Sequence, residues 1–452
     1  MSQVVKISAL LFSSALLMIA GGMHGLILPL RGAQEGFSLL ALGLIGTGWS
    51  IGFISGSISV PHLVRSVGHI RAYAVMAAIA CMTILVNLIF VHDWAWILLR
   101  IFSGFCFAGA AMVVESWLNE VSDNESRGTT FSIYVSVTLF ASTAGQMIIA
   151  VTGVAGYIPF VLAAIAYIGA VLPTAVTRTP QPAPLQTVTL DIGLLYKTSP
   201  IAVVAAFSVG MANGAFGTLA PVYGTERGFS TATIAYLMSL AIVAGAIAQV
   251  PLGRLSDRID RRKVLMGVAL LGAAAGTLTI IFNPGENALL YFFFAAYGLA
   301  AYSLYAIAVA HANDFADEGS FAKVASGMLL VLGSGQMLGP IVASLTMGWF
   351  GPVAMFIVPV LFHGALAAAA FIRMRARQAT PVDERAPFQP MPAERHVTGE
   401  TLNFDPRSEE TEIVFPEDGE AEIVTGSELT GEAETKPEVR TEERDDVPPQ
   451  DR

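Results

Sequence analysis

The 452-residue chain is 54% hydrophobic and only 13% charged, with a mean hydropathy of +0.63. Soluble globular domains carry about 25% charged residues, so this composition excludes a disordered protein, a disulfide scaffold and most soluble enzymes. The net charge of −10 is unevenly distributed. Residues 1–373 carry 16 basic and 14 acidic side chains, whereas residues 374–452 carry 9 basic and 21 acidic ones. An apolar body is therefore followed by an acidic tail.

Twelve apolar runs follow one another through the body, each long enough to cross the ~30 Å hydrocarbon core of a bilayer as a helix. Most are apolar on every face, as expected for helices in lipid or in a bundle interior. They predict an all-α membrane protein with twelve transmembrane helices and a disordered acidic C-terminal tail. The runs lie at residues 5–30, 39–63, 70–91, 94–117, 128–151, 155–176, 200–223, 231–252, 263–282, 288–311, 322–347 and 351–373.

The first run begins like a signal peptide because Lys6 precedes its uninterrupted apolar stretch. It continues to Leu30 without a small-x-small cleavage site, so we expect a retained span. Placing the N-terminus in the cytoplasm leaves only Arg31 and Arg227 in the outside loops. The positive-inside rule therefore predicts a multi-pass protein of the cell membrane (inner or plasma membrane) with both termini in the cytoplasm.

An internal duplication relates the first six runs to the last six. Gly36-Phe37-Ser38 recurs as Gly228-Phe229-Ser230 at an offset of 192 residues, and Gly145-Gln146-Met147 recurs as Gly335-Gln336-Met337 at an offset of 190. An even number of spans per unit gives both units the same orientation. Parallel repeats are typical of one large transporter class, whose substrate site lies near the membrane midplane between the halves.

The duplication divides the chain into four parts. A Pro-rich stretch at residues 179–184 cannot continue the sixth helix, and residues 190–196 are expected to form a short amphipathic helix after it. The predicted parts are a first six-helix half at 1–176, a cytoplasmic linker at 177–199, a second half at 200–373 and a disordered acidic cytoplasmic tail at 374–452.

The loop between spans eight and nine carries the most specific motif, Gly253-Arg254-Leu255-Ser256-Asp257-Arg258-Ile259-Asp260-Arg261-Arg262-Lys263. Asp257 lies where span eight ends, where it can pair with an arginine or cap a neighbouring helix. Such a contact holds two helices together in one state and releases them in another. The alternative is a basic membrane anchor without a mechanical role. The candidate latch residues are Gly253, Asp257, Arg258, Arg261 and Arg262.

This segment resembles the G-x-L-x-D-R-x-x-R-[RK] loop motif of the major facilitator superfamily, and the resemblance covers residues 1–375. It implies the superfamily fold and a conformational latch that works during alternating access. The first-half copy at residues 61–71 departs from the motif because Arg65 stands where the aspartate belongs. Only Gly68 and Arg71 match the motif there, and they complete the latch candidates.

Polar residues inside the apolar runs are candidate substrate ligands. Arg100 opens the segment Arg100-Ile101-Phe102-Ser103-Gly104, which resembles the R-x-x-x-G element of the superfamily's fourth helix. A buried arginine is costly, so Arg100 should face a cavity or a partner. His24 lies at a similar depth, and the resemblance implies that spans one and four both line the central cavity. The alternatives are a structural arginine and a packing histidine.

Three amides are further candidates. Gln146 and Gln336 occupy equivalent positions in spans five and eleven, and Asn213 lies in span seven. Amide side chains can hydrogen-bond a solute, and they can equally join two helices for about 1 kcal/mol. Both interpretations stay open.

Glu115 is the one carboxylate that lies within an apolar run and not plainly in a loop. A buried carboxylate at this position is a candidate proton carrier, although it can equally pair with Arg127 or cap the loop. The string Glu115-Ser116-Trp117-Leu118-Asn119 resembles an uncharacterised bacterial branch of the superfamily, the YcaD-like proteins.

The predicted function is secondary active transport of a small solute by alternating access, coupled to protons. The R-x-x-x-G element, which resembles that of proton-coupled exporters, favours efflux. A membrane sensor or scaffold that does not transport and a facilitative uptake uniporter are the alternatives. We expect a monomer that lies in the lipid bilayer and binds the solute and protons. We expect no enzyme activity, cofactor, metal or nucleic-acid partner, because the sequence lacks a P-loop, a catalytic constellation and aromatic-interleaved basic patches.

Overall fold

The computed structural model describes residues 3–122, 126–176, 192–316, 321–376, 378–382, 385, 387–393, 396–404, 411–414 and 422–425. Within these ranges, twelve helical segments are long and apolar enough to cross a membrane. The predicted all-α fold with twelve spans is confirmed. Most of the predicted linker, residues 177–191, lies outside the described residues.

The first half contains six spans, of which the sixth is interrupted at Ala170 and counts as two helices. Their bounds are α1 Gln3–Gln34, α2 Leu39–Val67, α3 His69–Ile89, α4 Asp93–Val121, α5 Arg127–Thr152, α6 Ile158–Gly169 and α7 Val171–Val176. The linker contributes one short helix, α8 Ile192–Thr198, close to the predicted amphipathic helix.

The second half repeats this plan, with the tenth span divided in two and a 3-10 turn before the last helix. Its helices are α9 Pro200–Glu226, α10 Thr231–Arg258, α11 Arg261–Phe282, α12 Ala288–Ala301, α13 Leu304–Asn313, α14 Phe321–Phe350 and α15 Ile357–Ala376, with the 3-10 turn at Pro352–Phe356.

The turns that follow α1 and α9 are built alike. Gly36 and Gly228 adopt positive φ angles of 77° and 74°, a conformation that favours glycine because it has no Cβ. Ser38 and Ser230 then cap the next helices, each accepting a hydrogen bond from the backbone N–H three residues later. The same backbone turn thus recurs at the 192-residue offset found in the sequence.

Small residues bring the helices of each half into close contact. Gly104 of α4 lies against the backbone carbonyl of Trp49 in α2, and Gly298 of α12 lies against that of Ala241 in α10. Glycine at such a crossing lets two backbones approach closely, which supplies much of the packing between helices in a membrane.

We expect Gly104→Ala to lower the free energy of unfolding by about 1–3 kcal/mol, because the added methyl group would overlap the Trp49 carbonyl. Gly267→Ala in α11 is the matched control, since the space around Gly267 is open. There alanine should be neutral or stabilise by about 0.5–1 kcal/mol through its helix propensity. Thermal unfolding of the detergent-purified variants measures both effects. An unchanged melting temperature for Gly104→Ala would contradict this packing.

The two halves meet along α2 and α14. We name the face at which α1 begins and α15 ends the terminal face, and the opposite one the far face. In the far-face half of α2, the Thr47 hydroxyl donates to the Met337 carbonyl at 2.7 Å. The Ser50 hydroxyl donates to the Gln336 carbonyl at 3.3 Å. These bonds tie the halves together on the far-face side.

The chain after α15 returns to the terminal face. Met391, Val397 and Leu402 are buried, and a short helix, α16 Gly399–Phe404, contacts both α4 and α14. Residues 387–393 and 396–404 pack against the transmembrane helices, although their composition predicts a solvated segment. Two strands further on, β1 Thr411–Val414 and β2 Glu422–Thr425, pair antiparallel in a separate unit. The other residues after 404 lie outside the described part.

Candidate functional site

A central cavity lies between the two halves near the middle of the spans. Residues of α1, α2, α4, α5 and α6 line it on one side, and residues of α9, α10 and the α12–α13 break line it on the other. The wall consists of Gly21, Gly22, Gly25, Leu26, Trp49, Arg100, Phe107, Ser142, Gln146, Tyr167, Gly217, Met238, Ile242 and Tyr302, together with Ala393 and His396 from beyond α15.

On the terminal-face side of this cavity the halves are apart. A second cavity of about 450 Å³ separates the terminal-face half of α5 from α10 and is lined largely by apolar side chains. The halves are thus bonded to each other on the far-face side, and this second cavity, which we call the cleft, lies between them on the terminal-face side.

Arg100 places a buried positive charge in the wall of the central cavity. Only 5% of the residue is exposed, and its guanidinium carbon lies 5.8 Å from the centre of the Trp49 ring. This is within the range of a cation–π interaction. Among the described residues that line the cavity there is no aspartate or glutamate. The described part of the cavity wall therefore combines a buried guanidinium with aromatic side chains.

Gln146 reaches the same cavity and also joins the halves. Its side-chain oxygen accepts a hydrogen bond from the Ser239 hydroxyl of α10 at 3.2 Å. The two roles left open by the sequence, solute contact and helix contact, are thus both available to this residue. A solute that bonds Gln146 would compete with a contact between the two halves.

His24 does not line the cavity with Arg100, in contrast to the sequence expectation. The residue is fully buried, and its Nδ1 atom shares a hydrogen bond of 3.1 Å with the hydroxyl of Tyr167. Tyr167 is the residue that faces the cavity. His24 therefore acts behind the wall, where it can position Tyr167.

The other two amides lie elsewhere. The Asn213 side chain donates to the Ala301 carbonyl at 2.8 Å, at the break between α12 and α13. Gln336 lines a small cleft between α2 and α14 together with Phe53, Leu332 and others. Of the five predicted substrate ligands, Arg100 and Gln146 line the central cavity and the other three do not.

Glu115 is fully buried near the terminal-face end of α4 and accepts three hydrogen bonds from hydroxyl groups. Tyr134 of α5 donates at 2.6 Å, Thr401 of α16 donates at 2.7 Å, and Thr398 donates to the second carboxylate oxygen. In the described part of the chain Arg127 is not among its hydrogen-bond or ion-pair partners. Two of the partners lie more than 280 residues away in sequence, so no sequence pattern indicated them.

The latch motif of the second half forms a compact charge cluster. Asp257 accepts a hydrogen bond from Arg261 at 2.9 Å, and both of its oxygens accept from the backbone N–H of Phe388 at 3.2 Å. Arg261 is 1% exposed and also holds both oxygens of Asp314, at 2.7 and 3.2 Å. The cluster ties α10, α11 and the end of α13 to each other and to the segment after α15.

Arg262 completes the junction on the other side of α11. It pairs with Asp260 at 2.7 Å and donates to the Arg373 carbonyl at 3.0 Å. Burial alone would raise the pKa of Asp260, but the hydrogen bonds and charge of Arg262 outweigh it and hold that pKa below its ordinary value. The stabilisation is therefore present at neutral pH and is lost as the pH falls through the lowered pKa.

The remaining latch candidates differ in their environment. Gly253 is buried against the Phe388 ring, whereas Arg258 is exposed. In the first half, Gly68 has a φ of 84° and ends α2, and Arg71 is exposed at the start of α3. The first-half copy thus forms the helix-ending turn, with Arg65 at the position that Asp257 occupies in the second half.

We expect Asp314→Asn to lower the free energy of unfolding by about 3–5 kcal/mol, because it leaves the buried Arg261 guanidinium without its two-oxygen partner. Asp257→Asn is the matched variant on the same arginine. Its side chain is 32% exposed, and we expect a loss of about 1 kcal/mol or less. Denaturation of both purified variants measures the difference, and equal losses would contradict the assigned roles of the two aspartates.

The family model described as Major Facilitator Superfamily matches residues 10–248 and 202–414. The chain belongs to the major facilitator superfamily. The resemblance drawn from the latch loop is confirmed, and a two-half transporter fold with a central cavity is what this superfamily membership entails.

Curated relatives place the chain near one branch of the superfamily. It is 24% identical over 353 residues to the uncharacterized MFS-type transporter YcaD of Escherichia fergusonii, covering 77% of this chain and 91% of the relative. The YcaD protein of Salmonella newport is 25% identical over 356 residues, with the same coverage. These matches confirm the resemblance to the YcaD-like branch.

Solved structures of the superfamily share the fold. The nucleoside transporter NupG superposes with a TM-score of 0.65 at 16% identity, covering 82% of this chain and 98% of NupG. An inward-facing, unoccupied bacterial homologue of the human lysosomal transporter Spinster gives 0.70 at 13% identity, covering 85% and 98%. At these identities the comparison establishes the architecture of this superfamily member and not its solute.

Proposed function

We propose that this superfamily member is a proton-coupled secondary transporter of a small organic anion with a flat apolar body. The observation that carries the proposal is the buried Arg100 guanidinium in the wall of a cavity with aromatic side chains. A low-dielectric site with a fixed positive charge attracts an anion, and a guanidinium matches carboxylate, sulfonate or phosphate oxygens. Trp49, Phe107 and Tyr167 supply walls for the apolar part of the solute.

Alternating access follows from the two-half architecture. The halves are bonded to each other on the far-face side and apart on the terminal-face side. The distribution of basic residues in the loops supports a cytoplasmic terminal face, so the cleft would open toward the cytoplasm. We propose efflux as the direction of transport, because the Arg100-x-x-x-Gly104 element resembles that of proton-coupled exporters.

Glu115 is the proposed proton carrier. Its partners in the described structure are neutral hydroxyls of Tyr134, Thr398 and Thr401, which can rotate to serve either protonation state of the carboxyl group. A carboxylate fixed by an arginine would lack that freedom. This neutral shell favours a group that gains and loses a proton during the cycle over one that serves a structural ion pair.

One observation favours the alternative of a sensor that does not transport: residues Ala393 and His396 occupy part of the central cavity. A receptor whose cavity is permanently closed by its own chain would present the same contacts. Flux measurements separate the two functions.

Purified protein reconstituted into proteoliposomes with an imposed pH gradient tests the proposal. Radiolabelled benzenesulfonate is the anionic probe, and benzyltrimethylammonium is the matched probe of opposite charge. Both keep their charge at all relevant pH values, so neither crosses the lipid unaided. We expect protein-dependent flux of benzenesulfonate only. Flux of the cation alone would overturn the anion assignment, and flux of neither by any variant would favour the sensor.

A further inference from the structure

We propose that the cleft on the terminal face is a binding site for the chain's own segment after α15, which closes it as an internal plug. The plug comprises the described residues 387–393 and 396–404. It contacts both halves, reaches the central cavity and occupies the path that a solute entering from the terminal face would take. Release of the plug is therefore a condition for binding of solute.

The first part of the plug is held by α10. The Phe388 ring packs on Gly253, the latch glycine, at a position where a larger residue would overlap it. The Gln249 amide donates to the Met391 carbonyl at 3.0 Å, and its oxygen accepts from the Met391 N–H at 3.0 Å. A buried side-chain amide without hydrogen-bond partners would destabilise the protein. Because the Gln249 amide pairs with both polar groups of Met391, this contact is specific.

The middle of the plug reaches the proposed solute site. The His396 ring lies 5.1 Å from the Phe107 ring and 6.5 Å from the Trp49 ring, measured between centroids. Trp49 is also the ring that faces Arg100. With Ala393 and His396 in the wall, about 60 Å³ of the central cavity remains. That space holds a few water molecules, whereas pockets for small organic ligands start at about 300 Å³.

The last part of the plug joins the two halves. α16 packs between α4 of the first half and α14 of the second, and the hydroxyls of Thr398 and Thr401 bond to Glu115. A segment wedged between both halves keeps them apart on the terminal face. The plug thus stabilises the conformation in which the far-face contacts are closed.

The short connection between α15 and the plug keeps the plug close to its site, while the contact itself stays reversible. Phe388 follows the end of α15 at Ala376 by only twelve residues, so the plug is always near its site, at an effective concentration of about a millimolar. A plug of modest intrinsic affinity therefore stays bound when solute is scarce and is displaced when solute is abundant.

Cysteine labelling of the full-length protein in detergent tests the plug without reference to any solute. With Cys81 and Cys106 replaced by alanine, single variants Ala393→Cys and Val382→Cys are treated with a sulfonated maleimide. Ala393 is 6% exposed and Val382 is 56% exposed in the same segment, so we expect labelling at 393 to be about tenfold slower. Adding Phe388→Ala should raise the rate at 393 about tenfold and leave the rate at 382 unchanged.

Equal rates at the two positions, or protection at 393 that survives Phe388→Ala, would overturn the plug. The competition between plug and solute rests on the proposed anion site and has its own measurement. Benzenesulfonate that raises the melting temperature should also speed labelling at 393, and binding without that acceleration would overturn the competition. If no flux of any solute is found while position 393 stays protected, the result contradicts the proposed transport function but still supports the plug.

Discussion

Arg100→Gln is expected to lower the affinity for benzenesulfonate about 100-fold, which corresponds to the loss of about 3 kcal/mol from a desolvated charge pair. The guanidinium is 5% exposed and sits over Trp49, so an anion bound there is shielded from water and its attraction to the charge is strong. Glutamine keeps a hydrogen-bond donor of similar reach but removes the charge. Isothermal calorimetry on the purified variant measures the change.

Two controls distinguish the charge of Arg100 from its shape. Arg100→Lys keeps the charge and loses the planar fork, so we expect an intermediate loss of about tenfold. His24→Gln alters a residue that lies behind Tyr167 and outside the cavity wall, and we expect a loss of about threefold or less because the effect is indirect. Full affinity in Arg100→Gln with an unchanged elution profile would place the anion site elsewhere.

The predicted spans agree with the helices because each segment must meet the length and hydrogen-bond requirements of the bilayer by itself. Every backbone polar group must be satisfied within the span, so about 20 consecutive apolar residues are sufficient evidence for a helix. The duplication could also be predicted from the sequence, because Gly36 and Gly228 occupy equivalent turns that need the same positive φ. Neither inference depends on which helix lies next to which.

The site was only partly predictable because depth along a helix does not determine the direction in which a side chain points. His24 and Arg100 were placed at one depth, yet Arg100 faces the cavity and His24 faces Tyr167. The Asp257–Arg261 contact is local, four residues apart on a predicted loop, and could be anticipated. Its third member, Asp314, lies 53 residues after Arg261, directly after the end of α13, and no spacing pattern connects them.

The plug was not predictable from composition. The tail as a whole is acidic and poor in aromatic residues, which is typical of a solvated segment. The few apolar residues that are buried, such as Met391, Val397 and Leu402, are not spaced with helical or strand periodicity. The sequence alone therefore does not mark them as packed. Composition averages over the 79 residues of the tail, whereas the plug, as described, comprises only sixteen of them.

Glu115→Gln is expected to reduce benzenesulfonate flux driven by a pH gradient about tenfold, while exchange of labelled for unlabelled solute stays within about twofold of the parent rate. Glutamine accepts hydrogen bonds from Tyr134 and Thr401 through its remaining oxygen but carries no exchangeable charge, so only the proton-dependent step is lost. Proteoliposome flux with and without the gradient separates the two rates.

Because Glu115 contacts the plug as well, a loss of flux could have two causes, and two matched variants separate them. Glu120→Gln removes a carboxylate from the exposed end of the same helix and should leave both rates unchanged. Thr398→Val with Thr401→Val removes the plug's hydroxyls but keeps the carboxylate, so pH-driven flux should persist. If Glu115→Gln kept full pH-driven flux, Glu115 would be an anchor for the plug alone, and the proton would have to bind elsewhere.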